Sequence, residues 1–354
     1  MADSYLPASM PASAREGFHA HAAPAIVPSM TQRPILIAGA GAIGSVLGAM
    51  LRERGHRVAL LGRAKHLDAI ARDGLHVTGV LGEHHAEGFE LATDAGELAG
   101  PYPLILLAVK AYDTASMAEQ MKPLLTPDGL LVSMQNGVGN LEVLVEELGP
   151  ARAIGARVML GARIQGPGTA HATVFGEPLA VGPSAANREH CAQLFERTRE
   201  VAAMLTNVGI PSEAVRDIAP YLWMKLFYNA ALNPLGALMR MSYGQLAADP
   251  DLCKVMNAVI EEAFAVAAAR KVPLPFESAE AYRVHFYGKL VPATRDHHPT
   301  MLFDLEQRGR TDIMEMNGKV AELAERMGLC AETNQMLTRL VRARERTWRK
   351  EVSR

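Results

Sequence analysis

Lys225, Asn229 and Asn233 recur four residues apart in a stretch, residues 221–238, that is otherwise almost wholly apolar. A helix there would line an ammonium and two amides along one side. Groups of that kind direct donors at carbonyl, hydroxyl and carboxylate oxygens, so the stripe is read as the wall of a site for an oxygen-rich substrate. Taken singly, two of them have plainer readings. Asn233 before Pro234 could cap a following helix that starts with proline, and Lys225 could carry its ammonium to solvent along an apolar stem.

A second pattern supplies chemistry for such a wall. Residues 34–63 read as strand, tight turn, helix and strand, with G-x-G-x-x-G at the turn. Gly39 would allow the turn, Gly41 would let a pyrophosphate approach the backbone, and Gly44 would let the helix pack on the strand; Ala42 and Ile43 lie between them. The amino terminus of the helix then faces the phosphates. Ile35, Leu36 and Ile37 before the turn, and Ile43, Val46, Leu47, Met50 and Leu51 after it, give the pattern its context. Where a ribose-binding acid would close the second strand, the chain has Gly62, Arg63, Ala64 and Lys65. That favours NADPH over NADH, with Arg63 stacked on adenine or paired with the 2′-phosphate and Lys65 or His66 assisting; a solvated loop arginine is the alternative.

These elements need a frame. The 354 residues are 49% hydrophobic with a formal net charge of -2, enough for two ordinary domains, and no dense basic run precedes residues 342–350, so no nucleic-acid partner is expected. Cys191, Cys253 and Cys330 are odd in number and far apart, which points to a reducing, cytoplasmic setting, and no apolar run approaches the length that spans a bilayer. Residues 1–31, rich in Ala, Ser, Pro and His, are expected to be a disordered extension, with Met30 as an alternative start.

Residues 104–109 and 130–134 read as buried strands separated by helices, a doubly wound α/β pattern. Ligands in such folds bind beyond the carboxyl ends of the strands, which puts Lys110 and Asn136 among the candidate contacts, against the plainer readings of a solvated charge and an Asn-Gly turn. Turn glycines between 154 and 182 predict antiparallel strands that close this domain, followed by a helix over about 186–208. From about residue 215 the pattern is helical. The fold class expected is α/β, a Rossmann-type doubly wound sheet followed by an all-helical carboxyl-terminal domain, divided as 32–214 for the dinucleotide and 215–347 for substrate and catalysis, with a tail at 348–354. His297 and His298 lack metal-ligand spacing to any acid or Cys and are read as a solvated loop pair.

The string WMKLFYNAALNPL at 223–235 resembles the W-x-K-L-x-x-N-x-x-x-N-P-L signature of the ketopantoate reductase family, and residues 300–318 resemble its later S-M-x-x-D…T-E-I-D-x-I-N-G segment. With GAGAIG, Val109-Lys110 and Gln135-Asn136-Gly137 in order, the resemblance covers residues 33–345. It implies NADPH-dependent reduction of 2-dehydropantoate to (R)-pantoate, a step of pantothenate biosynthesis. Lys225 is then the catalytic proton donor, Asn229 and Asn233 hold substrate oxygens, and Thr300 stands where the family has a carboxylate-binding serine. Asp312 replaces the family's glutamate with an acid one methylene shorter, which leaves another 2-oxo acid open as substrate. Met314 replaces a second acid, with Glu315 one position on. The implied partner is a small 2-oxo acid, with a homodimer as the expected assembly. A silent NADP-binding sensor is the reading from another class.

Overall fold

A computed structural model describes residues 33–307 and 309–352, and side chains up to Thr347; the expectations for residues 1–31 lie outside them. Two compact units emerge, one of residues up to Gln135 together with Asn140–Ile218, the other of Asn136–Gly139 together with the residues from Ala219 onward.

The first unit is an eight-stranded, mostly parallel sheet. Its strands are β1 (Ile35–Ala38), β2 (Val58–Leu61), β5 (Glu90–Ala92), β6 (Tyr102–Leu107), β7 (Leu125–Ser133), β8 (Ala153–Arg157), β11 (Leu179–Gly182) and β12 (Ser212–Ala214). They run in the order β12-β11-β8-β7-β6-β1-β2-β5, and β11 is antiparallel to β8. β1 and β2 are buried along their whole length, as strands covered on both faces must be. The chain leaves β1 toward β2 and later returns to β1's other side as β6, so the order reverses between β1 and β6. That reversal opens the crevice where doubly wound sheets take ligands.

The strands expected over 154–181 to close this domain all lie in the first unit, where they divide between two sheets. β9 (Leu160–Gly166) and β10 (Thr169–Phe175) leave the eight-stranded sheet and form a second sheet in the order β4-β3-β10-β9, with β3 (Leu75–Gly79) and β4 (His84–Ala86). Ala170 and Ala172 of β10 are buried in the same core cluster as Val46 and Met50 of the helix Ala42–Glu53, so this small sheet covers that helix.

The second unit is helical among its described residues and is built on the helix Ala219–Met239. Leu226, Phe227, Ala230, Ala231, Leu232 and Leu235 of that helix are buried. Each large one contributes on the order of 1.5–3 kcal/mol by leaving water. The helix Pro250–Ala269 adds Met256, Val259, Ile260 and Ala263 to the same core, and Val138 joins it from the short segment Asn136–Gly139.

Asn233 does not cap a second helix, because the helix runs unbroken through Pro234. A proline there removes the donor that would serve the carbonyl of Ala230. Asn317 supplies a replacement, its Nδ2 donating to that carbonyl at 3.0 Å and to Asn334 Oδ1 at 3.0 Å. Asn334 in turn donates to the Val259 carbonyl and to Glu262. The π-helical turn Met314–Gly318 that carries Asn317 is thereby tied to the proline turn, and the helix Lys319–Arg326 continues from it.

Candidate active site

In the first unit the loop after β1 has the three glycines in three different surroundings. Gly39 has φ +113, and a Cβ on it would meet the Val109 nitrogen at 2.6 Å. Gly44 is closed in as well, since its Cβ would meet the Gly39 carbonyl oxygen at 2.0 Å. Gly41 is open, with nothing within 4 Å of where its Cβ would stand, and it precedes the helix Ala42–Glu53. Sterics therefore demand glycine at Gly39 and Gly44 and leave a clear approach at Gly41, where the free N–H groups of a helix start can receive a pyrophosphate. Ala42 and Ile43 form the first turn of that helix.

The segment beyond β6 is held by Gln135, a motif residue whose supporting role the sequence does not disclose. Gln135 is buried, its Nε2 donating to the Val109 carbonyl at 3.2 Å and to Thr114 Oγ1 at 2.9 Å while its Oε1 accepts from Ser133 Oγ at 3.0 Å. It fixes the path of Val109 and Lys110 against the glycine loop. Lys110 is half-buried and precedes the short turn Ala111–Asp113.

At the end of β2, Arg63 precedes the helix Ala64–Asp73, and both Arg63 and Lys65 are exposed. No acid stands between Leu61 and Lys65. His66 does not share their setting. Its ring is buried, with Nδ1 accepting from the Gly168 N–H at 3.0 Å and Nε2 3.0 Å from Ser45 Oγ. Nδ1 as acceptor leaves the hydrogen on Nε2, and burial lowers the pKa, so the ring is a neutral clamp with no donor left for a phosphate.

In the second unit the stripe forms as spaced. Asn229 and Asn233 are 9% and 8% exposed, and half-buried Lys225 donates from Nζ to Asn136 Oδ1 at 2.7 Å. Asn136 and Lys225 come from chain segments 89 residues apart, so this hydrogen bond joins two candidates that the sequence could only list separately. Gly137 follows with φ +91, where a Cβ would strike the carbonyl of Glu315 at 2.3 Å. The loop is thus seated against the π-helical turn. Tyr243, buried on the neighbouring helix Tyr243–Ala248, donates from its hydroxyl to Asn233 Oδ1 at 2.7 Å. The other end of that amide, Nδ2, lies 3.9 Å from Met316 Sδ.

Thr300 is exposed at the first residue of the helix Thr300–Glu306, and the preceding Pro299 packs where Gly236 of the stripe's own helix leaves room. Asp312 is half-buried and immediately precedes Ile313 and the π-helical turn. Met314 faces out, 38% exposed, whereas the Glu315 side chain is 15% exposed and its Oε2 is buried without a hydrogen-bond partner among the described residues. Burial pushes Glu315 up, the Asp312 charge adds to it, and Arg310 and Lys319 oppose it.

The two histidines read as a solvated pair part company. His298 is exposed, but the His297 ring packs on Tyr243 with centroids 5.1 Å apart. Among the described residues no group of three His, Cys, Asp or Glu is placed to hold a metal.

Comparison with known proteins gives a consistent result. Residues 35–185 match the family described as Ketopantoate reductase PanE/ApbA, and residues 217–345 match Ketopantoate reductase PanE/ApbA C terminal. The 2-dehydropantoate 2-reductase of Aquifex aeolicus is 35% identical over 88% of this chain and 96% of its own, and that of Archaeoglobus fulgidus is 32% identical over 89% and 99%. A PanE/ApbA family ketopantoate reductase structure from Ralstonia eutropha JMP134 superposes with TM-score 0.76 at 31% identity, covering 89% of this chain and 99% of that one. D-mandelate dehydrogenase, solved with NADH and anilino(oxo)acetate, superposes with TM-score 0.77 at 25% identity over 89% and 99%.

Proposed function

The chain belongs to the ketopantoate reductase family, and on that premise we propose that it reduces 2-dehydropantoate to (R)-pantoate with NADPH. The Lys225–Asn136 hydrogen bond is the observation that carries the reading, because it places an ammonium with a fixed direction beside the amides of the stripe. A reduced nicotinamide supplies hydride to the ketone carbon. Every other step falls to side chains.

Negative charge collects on the ketone oxygen as the carbon is reduced, and the Lys225 ammonium stabilises it and gives up a proton to it. Asn136, as acceptor, holds the ammonium in place. Asn229 and Asn233 donate to the hydroxyl and carboxylate oxygens of the substrate, and Thr300 offers its hydroxyl to the carboxylate. Asp312 accepts from a substrate hydroxyl and balances the charge of Lys225. The glycine loop, with Gly39, Gly41 and Gly44, takes the pyrophosphate, and Lys110 contacts the cofactor beyond β6. Arg63 supports NADPH as the cofactor: an exposed guanidinium stands at the end of β2 where NAD-binding sheets place an acid.

Two observations favour a second reading. Asp312 is a shorter acid than the family's glutamate, and a solved neighbour of the same fold carries NADH and an aryl-substituted 2-oxo acid analogue. Under that reading the chain reduces a bulkier 2-oxo acid with the same groups. The deciding experiment compares kcat/KM for 2-dehydropantoate with that for a series of branched and aromatic 2-oxo acids, each with NADPH and with NADH. The first reading expects 2-dehydropantoate with NADPH to lead; a higher kcat/KM for an aromatic acid would transfer the assignment to the second.

A further inference from the structure

At the amino-terminal ends of β1, β6 and β7, the first unit encloses a cavity of about 480 Å³ that plays no part in the proposed chemistry. One wall is a face of the helix Cys191–Asn207, where Gln193, Arg197, Glu200, Val201 and Met204 recur at helical spacing. The glycine loop follows the opposite end of β1, so the four residues of that strand, at about 3.3 Å each, separate the two places.

Three guanidiniums meet at this cavity, those of Arg33, Arg152 and Arg197. Two of them are fixed by carbonyls. Arg152 donates from one amino group to Leu125 at 3.2 Å and Thr126 at 2.8 Å, and Arg197 donates to Asp128 at 2.6 Å and Ala151 at 3.4 Å, in each case to the main chain. Arg152 Nε is buried and has no hydrogen-bond partner among the described residues. Main-chain carbonyls orient a guanidinium but carry only partial charge, so they leave most of its charge uncompensated. Asp128 and Glu200 also line the cavity, but both are exposed. Burial depresses the pKa of Arg197 and the neighbouring Arg152 adds to this, against the fields of Asp128 and Glu200. Apart from the exposed Gln193, the rest of the lining is apolar, with Ile35, Val201 and Met204 buried.

We propose that this cavity binds a small organic anion, its phosphate or carboxylate held by Arg33, Arg152 and Arg197 and its apolar body laid against Ile35, Val201 and Met204. Preset donors on a concave, partly apolar wall are the features that distinguish a binding pocket from a patch of surface charge. The ligand would tie the start of β7 to the helix Cys191–Asn207 and stabilise the native state by mass action.

The test uses the full chain saturated with NADP, so that the glycine loop is already occupied. Phosphate, phenyl phosphate, succinate and benzoate are titrated separately and followed by calorimetry and by the shift in Tm. At least one of these anions is expected to bind saturably, the aromatic member of its pair more tightly than the small one, and Arg197→Gln to weaken it about tenfold or more, as loss of a charged hydrogen bond does. Arg33→Gln lies at the exposed edge of the first strand and should weaken it less while leaving KM for NADPH unchanged. Tighter binding of the phosphates or of the carboxylates tells which head group the site takes. Absence of saturable binding by all four, or equal affinity in wild type and both variants, would overturn the proposal.

Discussion

Tyr243 decides which end of the Asn233 amide is available. Its hydroxyl donates to Oδ1, and burial holds the phenol well above its ordinary value of 10.0, so it remains a donor across the working range. Nδ2 is left beside a thioether, a weak acceptor, and is free to turn to a better one. Tyr243→Phe releases that constraint at a net cost of about 1 kcal/mol. Steady-state kinetics should therefore show KM for the oxo acid rising about fivefold with kcat little changed; an unchanged KM would remove Asn233 from the substrate contacts. Arg63→Ala should raise KM for NADPH about tenfold and leave that for NADH where it was, since only the former carries the 2′-phosphate. The stripe was legible because i, i+4 spacing is local. Tyr243 stayed hidden, and although Gln135 and Asn317 lie in recognised segments their partners did not show, because local periodicity cannot connect residues so far apart in the chain.

Among the elements, the structure decides between two local readings of Asn233, the continuous helix and the cap, in favour of the first. Asn followed by Pro reads as a cap and a first turn, yet the helix Ala219–Met239 continues, because Asn317 meets the carbonyl that Pro234 deprives of its donor. Asn317→Ala would leave that carbonyl buried and unsatisfied, and equilibrium unfolding should show a loss of about 1–3 kcal/mol. A loss no larger than that of an exposed Asn→Ala change elsewhere would show that the proline turn needs no such partner. The strand–turn–helix of the glycine loop was readable in full, since each glycine answers a local demand for space or conformation. The departure of β9 and β10 to a second sheet was not, because alternation specifies which face is buried and not which sheet buries it.

For the molecule as a whole, buried titrating groups set opposite pH limits. Glu315 and Glu213 are held above the ordinary 4.5 by burial, so the stability they contribute is complete below 4.5 and is lost as pH rises through their native values. His56 and His66 are held below 6.5, again by burial, so theirs is present above 6.5 and is lost as pH falls through their native values. Glu315→Gln should thus be more stable than wild type at pH 7.5, with the difference shrinking toward pH 4.5; a difference that grows on acidification would contradict the burial argument. The division into a sheet unit and a helical unit could be read from the change of period near residue 215. That Asn136–Gly139 pack with the helices could not, since the contact of Gly137 with Glu315 spans about half of the chain.

Proton donation from Lys225 to the ketone oxygen of 2-dehydropantoate is tested by the rate of NADPH oxidation in wild type and in Lys225→Ala. Wild type is expected to turn over, and the variant to lose about 10²–10⁴ in kcat, the range associated with a positioned general acid, while its affinity for NADPH stays the same. An unchanged kcat in Lys225→Ala would remove Lys225 from the chemistry, and no NADPH oxidation by wild type would exclude the proposed reduction.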